Sequence, residues 1–391
     1  MTQTASPTPS LWPHRLAVLL ACATFPLIWV GGLVTTYDAG MAVPDWPTTY
    51  GYNLFLYPWQ TWLFGPWDRF IEHGHRLLAA TVGLLTIALA GAIWKKDARR
   101  WMRWMASIAV GGVILQGVLG GLRVVLDERL LAQIHGCVGP AFFALTAALA
   151  TLTSRRWLGR GEGFVAIQNP KSKIQNLATT TAALVYVQLL LGSQLRHVQV
   201  TADAGLFRIA VWFHLLVAAA VVGHVVMLRL RTWREAAGNA WLRRPAELLL
   251  GLVGVQLALG CGAWVVNYGW PAWLADYPWA ANYVVRRESF LQAAVTTGHV
   301  ATGSLILAVS VVLALRAWRE ASTILHAVGN DTFAVAGAEL AGIDSQLPTD
   351  AAGQRCPGGD ATGASAGRGV FEHSRPLRGQ PLPQPPTGAM A

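Results

Sequence analysis

The chain has 391 residues, of which 53% are hydrophobic and only 13% charged, with a formal net charge of +10. A soluble core does not need that much apolar sequence, so the composition excludes an ordinary pair of soluble domains and indicates a polytopic membrane protein. In a soluble protein the positive charge would suggest nucleic acid, but here Lys and Arg gather in short segments beside apolar runs, a topology signal that argues against a nucleic-acid partner.

Crossing about 30 Å of hydrocarbon takes roughly 20 apolar residues. Eight stretches qualify, near 16–36, 72–94, 104–124, 131–152, 178–196, 208–230, 246–266 and 289–317, so the expected fold is an all-α polytopic membrane protein with eight transmembrane helices. The first apolar run is too long for a signal-peptide core of about 7 to 15 residues and reads as an uncleaved helix. An Arg- and Ser-rich amphipathic presequence is missing, which favours a bacterial plasma membrane over an organelle.

The loops after the second, fourth and sixth spans carry the basic residues, among them Lys95, Arg99, Arg155, Lys171, Arg231 and Arg243, and are expected to be cytoplasmic. The loops after the odd spans carry interfacial aromatics, including Trp46, Tyr50, Tyr57, Trp62 and Trp67 in the first, and are expected to face outward. Both termini then lie inside. Residues 1–15 form a short cytoplasmic lead, and 319–391, rich in Gly, Pro and Ala, form a tail expected to be disordered. Four scattered cysteines give neither a disulfide framework nor a zinc site.

An internal repeat is visible. Gln116-x-x-Leu119-Gly120 recurs as Gln188-x-x-Leu191-Gly192 and Gln256-x-x-Leu259-Gly260, while the first span keeps only Gly31-Gly32-Leu33. Small residues let helices approach closely in lipid, so these glycines mark the inward side. The chain reads as two pseudo-symmetric four-helix bundles, 16–153 and 178–318, joined by the basic linker 154–177.

Each even-numbered span carries one histidine in its outer half: His75, His135, His214 and His299. Ionisable groups inside spans are costly and usually functional. A neutral imidazole is also the usual axial ligand of haem iron, and two on facing helices of a bundle can clamp one haem. A lone intramembrane histidine is as well explained by a hydrogen bond to a neighbouring helix; four at equivalent depth in a repeat are not. His224 has no counterpart and reads as structural, and His14, His326 and His373 lie in tails. In Glu72-His73-Gly74-His75-Arg76 the helical spacing puts Glu72, His75 and Arg76 on one face and turns His73 away. Glu72 could merely complement the helix dipole and Arg76 snorkel to the interface. Arg123 and Arg196 end the third and fifth spans, where a guanidinium either grips a haem propionate or anchors the interface.

The segments Ala39-Gly40-Met41-Ala42-Val43-Pro44-Asp45-Trp46-Pro47, Glu72-x-x-His75-Arg76 and Gln133-Ile134-His135-Gly136 resemble haem A synthase, over about residues 15 to 318. The resemblance implies an enzyme, an oxidoreductase acting on a CH3 group, that oxidises the C8 methyl of haem O to a formyl group by successive hydroxylations and so supplies haem A to terminal oxidases. It implies that His75 and His135 bind haem O as substrate, that His214 and His299 hold a haem b cofactor, that all four are iron ligands, and that Glu72 is the catalytic candidate. Partners so implied are haem O, haem O synthase as its donor, an unidentified electron-transfer partner and membrane lipids, with homo-oligomerisation left open. Many bacterial members carry a cysteine pair in the first outer loop where Val43 and Thr49 stand here, and an Arg near the place of Thr35.

Two other readings compete. A dihaem membrane cytochrome passing electrons to or from a quinone explains the histidines equally well, but not the carboxylate beside one of them or the outer loop. A transporter built on repeated bundles would favour broken helices and midplane charges, whereas these spans carry only Pro26 and Pro140 internally.

Overall fold

The computed structural model describes residues 10–159, 173–198 and 203–345, with the side chains of 322–345 excepted. Among them the chain is all helix apart from turns and one isolated β-bridge, and eight helices are long and apolar enough to cross a membrane. We label these α1 Trp12–Thr36, α2 Trp67–Lys96, α3 Arg100–Val125, α4 Arg129–Leu152, α5 Lys173–Arg196, α6 Ala204–Glu235, α7 Ala240–Tyr268 and α8 Phe290–Ser345.

Local chemistry sets the starts and stops. Asp203 caps α6 by accepting from the Gly205 and Leu206 N–H groups, Asn239 caps α7 through the Trp241 N–H, and Lys95 and Lys96 close α2, where cations suit the helix dipole. Within spans, hydroxyls bond back to their own helix: Thr24 to Leu20 O at 2.7 Å, Thr86 to Val82 O at 2.7 Å and Ser310 to Ile306 O at 2.8 Å. Such bonds are needed where no water is at hand. Large apolar side chains such as Leu84, Ile87, Ile114, Trp212 and Leu216 point outward, more than half exposed. A face of that kind is stable against lipid and unfavourable against water.

Helices α1 to α4 pack each on its neighbours, with α1 closing back on α4. One core cluster draws on all four, with Leu20, Val82, Leu89, Met102 and Leu149 among its buried members. A second cluster joins α5 to α8 through Ile174, Val185, Val225, Leu249 and Leu313, and reaches Ala144 of α4. α8 is the most enclosed span and α6 the least.

The helices overrun their expected ends. α1 begins at Trp12, which brings His14 out of the expected tail and into a helix, where its Nδ1 lies 3.0 Å from Ala150 O of α4. α7 takes in Pro245 near its start. α8 continues to Ser345 instead of ending near residue 317. Residues 331–345 of that helix belong to a second compact unit. The rest of the expected tail, with His373, and residues 160–172 of the expected linker lie outside the described residues.

Far along α8 from His299, the buried Glu320 carboxylate accepts a 3.0 Å hydrogen bond from Asn239 Nδ2 at the start of α7. Asn239→Leu should remove that donor and leave a buried carboxylate under-paired, costing about 1–3 kcal/mol. Thermal unfolding in detergent measures it, and an unchanged midpoint would contradict this account.

Candidate functional site

Each of the four histidines stands against a glycine of the preceding helix. A Cβ on Gly31 would lie 2.9 Å from Cε1 of His75, on Gly120 3.2 Å from Cε1 of His135, on Gly192 3.2 Å from Cε1 of His214, and on Gly260 3.1 Å from Cε1 of His299. A side chain at Gly31 would have to displace the ring, and at the other three the ring would have to give by a few tenths of an ångström, which suits glycine at the end of the repeat. The glycine row lets each hairpin close tightly enough to press its imidazole inward.

The rings face one another in two pairs. His75 and His135 have centroids 6.4 Å apart, and His214 and His299 have centroids 6.5 Å apart. A metal–imidazole bond of about 2 Å, plus about 1.2 Å from nitrogen to ring centre, puts two imidazoles on opposite sides of one ion at roughly 6 to 6.5 Å between centroids. Both pairs fit. The Nδ1 atoms of His75, His135 and His299 are buried without a hydrogen-bond partner, the condition of a nitrogen set whose partner is something other than protein. Among the described residues no group of three or more His, Cys, Asp or Glu side chains could hold a metal ion. Two axial imidazoles suit an ion whose remaining positions arrive with a macrocycle.

The glutamines of the repeat sit one turn before the glycines and reach the same histidines. Gln188 Nε2 lies 3.1 Å from both ring nitrogens of His214, and Gln256 Nε2 lies 3.4 Å from Nε2 of His299. Gln116 Nε2 instead donates to the backbone oxygen of His135 at 3.2 Å. Their partners lie on the next helix, so spacing alone did not disclose the role.

Beside the first pair, Glu72 and Arg76 organise the loop between α1 and α2. Arg76 donates to Glu72 Oε1 at 2.8 Å, to Val43 O and Asp45 O at 2.7 Å each, and to Thr48 O at 3.0 Å. Glu72 Oε2 accepts from the Val43 N–H at 2.7 Å. Arg76 therefore does not snorkel; it is a largely buried hub. His73 turns away from His75, as its spacing requires, and its Nδ1 lies 3.2 Å from Thr49 Oγ1 between Tyr57 and Trp62. Val43 and Thr49 are both fully buried and held by these polar contacts. The indole of Trp46 lies directly on Gly121 of α3.

Arg123 of α3 lies against the same loop, where a Cβ on Gly40 would stand 2.6 Å from its Nη1. Arg196 of α5 reaches across to α1, donating to Gly32 O and Thr36 Oγ1 at 2.8 Å each. Thr35 bonds back to Gly31 O. His224 is not part of either pair, and its Nδ1 lies 2.9 Å from Ala220 O of its own helix.

The loop has its own knot in Asp45, which accepts from the Tyr50 N–H at 2.7 Å, the Gly51 N–H at 2.9 Å and the Thr48 hydroxyl. Partial burial pushes the carboxyl up, but the donors from Gly51, Thr48 and Tyr50 together hold it below the ordinary carboxylate value. A lowered folded pKa contributes stability that is fully present above the unfolded value, about 3.9, and is lost as pH falls through the folded one. Amide exchange over residues 43–52, followed by mass spectrometry, should therefore be slow at neutral pH and show more opening only under acid. Asp45→Asn should open the loop at neutral pH; equal protection in the variant would refute this role. The glycine seats make a second prediction. Gly260→Val should strip bound pigment from the His214–His299 pair, read as visible absorbance per mole of purified protein, whereas Gly251→Ala, which meets nothing within 4 Å, should leave it unchanged.

A family model described as cytochrome oxidase assembly protein matches residues 66–207, a stretch that includes Glu72, His75, His135 and Arg196 and ends before His214. The chain is 32% identical to the heme A synthase of Shouchella clausii over 146 residues, 36% of this chain and 44% of that protein. It is 26% identical to that of Halalkalibacterium halodurans over 180 residues, 45% and 57% of the two chains, and 28% identical to that of Symbiobacterium thermophilum over 261 residues, 60% and 79%. The chain spans about half the length of the first two of these relatives. The chain is thus similar to the heme A synthases of these three bacteria, and residues 66–207 match the cytochrome oxidase assembly family model.

Proposed function

We propose that the protein is a membrane oxidoreductase that converts haem O to haem A by oxidising the C8 methyl group to a formyl group through successive hydroxylations. The observation that carries this reading is the first imidazole pair, spaced for one iron, with a carboxylate one helical turn from His75. In this reading His75 and His135 hold haem O as substrate, His214 and His299 hold haem b, and α1–α4 and α5–α8 form two pseudo-symmetric bundles. The two core clusters support that division. In this reading both termini are cytoplasmic and both pairs lie toward the outer face of a bacterial plasma membrane, an orientation that the basic loops support. Haem O synthase is the donor of substrate, and an external partner exchanges electrons.

When bound, haem b supplies one-electron redox capacity. The protein's own groups do the positioning. The glycine seats fix the ring planes, and the hairpins exclude water from the methyl carbon. Glu72 is held by two donors, Arg76 and the Val43 N–H, and so presents a fixed negative charge near the substrate, suited to positive charge developing on the reacting carbon. Moving a proton through Glu72 requires one of those bonds to open, which couples the carboxylate to the loop. The guanidinium of Arg123 gives the same end of the bundle a cation for the carboxylate substituents of a porphyrin.

Pigment extracted from bacterial cells that make haem O should contain haem A only when this protein is present; haem O alone would refute the reading. Glu72→Ala and Glu72→Gln should each lower conversion about 100-fold or more, and the Gln variant, which keeps an acceptor for the Val43 N–H, should load haem normally. Conversion at the wild-type rate in the Ala variant with normal loading would remove Glu72 from the mechanism.

A further inference from the structure

The end of the bundle remote from the imidazole pairs carries a second concentration of charge. Arg156, just after α4, and Arg316 of α8 both lie over the indole of Trp241 at the start of α7, 4.9 and 5.4 Å from its centroid. Arg319 lies 5.8 Å over Trp157, which stacks in turn on Trp318 at 6.5 Å. Against these three guanidiniums stands the buried Glu320 carboxylate, which Asn239 already holds, so positive charge is in excess. Arg316 donates from Nη1 to Trp241 O at 3.0 Å, while its Nε is buried with no hydrogen-bond partner. Stacking on an indole fixes the plane of a guanidinium and leaves its edge to meet an anion.

Beside this cluster an apolar groove of about 440 Å³ runs between α4 on one side and α5 and α8 on the other. Alanines hollow it, Ala141, Ala144 and Ala148 of α4 and Ala182 of α5, and Leu152 and Leu315 line its charged end, where Leu315 adjoins Arg316 in sequence. From Ala141 to Leu152 a helix rises about 16 Å, roughly half of a hydrocarbon core about 30 Å thick. The groove therefore has the depth of one leaflet. A free anion has no use for such a hollow, and an uncharged lipid has none for the arginines, whereas basic pockets between spans on the cytoplasmic side suit anionic lipid headgroups. We propose that this seam is a binding site for one anionic phospholipid of the leaflet on the side of the basic loops. Its phosphate is held by Arg316 with Arg156 and Arg319, and one acyl chain lies along the alanines of α4 and α5. The lipid fills the space that side chains leave open between the core cluster of α1 to α4 and that of α5 to α8. The site lies apart from both imidazole pairs and does not depend on the reaction proposed for them.

The test uses the full-length protein purified in detergent and washed free of native lipid. Palmitoyl-oleoyl phosphatidylglycerol is the probe, with phosphatidylcholine of the same chains and inorganic phosphate as controls, read by native mass spectrometry and thermal unfolding. Phosphatidylglycerol should remain as one adduct per chain and raise the unfolding midpoint at concentrations where phosphatidylcholine and phosphate do neither. Arg316→Gln, whose amide still serves the Trp241 carbonyl, and Arg156→Gln, at an exposed position, should each weaken phosphatidylglycerol binding about tenfold. Ala182→Phe fills the hollow without touching a charge and should weaken it as well. Unchanged helical circular dichroism and elution volume show that each variant is folded. Equal retention of the two lipids, or wild-type affinity for phosphatidylglycerol in both arginine variants, would overturn the inference. Stabilisation by phosphate alone, or binding indifferent to Ala182→Phe, would overturn it too, leaving an anion site that takes no lipid chain.

Discussion

Contact between an imidazole edge and a bare glycine backbone is the constraint from which the rest of this structure follows. It occurs in every hairpin, at Gly31, Gly120, Gly192 and Gly260. Lipid offers no hydrophobic force to drive two apolar helices together, so close backbone approach and a polar group that must turn inward supply what solvent would supply elsewhere. The histidine and the glycine therefore act as a unit. The ring needs the missing side chain in order to lie flat, and the hairpin needs the ring to fill the groove. Repeating the unit four times produces two facing pairs whose spacings differ by only a tenth of an ångström.

A second constraint acts on the loop between α1 and α2. Arg76 satisfies three loop carbonyls and the Glu72 carboxylate at once, and Glu72 in turn holds the Val43 N–H. A largely buried charge pair is strongly stabilising only when its remaining lone pairs and protons are matched, and here they are matched by backbone. The arrangement does the work that a covalent cross-link could do between positions 43 and 49. It also means that the carboxylate nearest His75 is part of the loop's architecture as well as a candidate for chemistry.

Much of this was legible in the residues. Hydrophobic run lengths disclosed the eight spans, and the regular recurrence of one histidine per even span disclosed the pairs, because both signals lie within single helices. What escaped were contacts between elements distant in sequence. Arg76 sits at a helix start where snorkelling is the ordinary reading, and nothing local says that three carbonyls about 30 residues upstream converge on it. The glutamines were visible as a repeat, yet their partners lie on the following helix. His14 read as tail because Pro13 and the polar lead obscured a helix that begins at Trp12. Helix ends in general were set by caps and by packing beyond the apolar run, which hydropathy does not see.

The tandem glycines of α1 bear on how such a protein can change over time. Gly31 faces His75, while its neighbour Gly32 faces Thr297, two residues before His299, and lends its carbonyl to Arg196. One turn of one helix thus meets His75 on α2, Thr297 on α8 and Arg196 on α5. The fourfold pattern invites the picture of a duplicated module, but this turn of α1 is shared between contacts to α2, α5 and α8. None of these helices can drift, be lost or be swapped with a relative's counterpart unless the others accommodate the change.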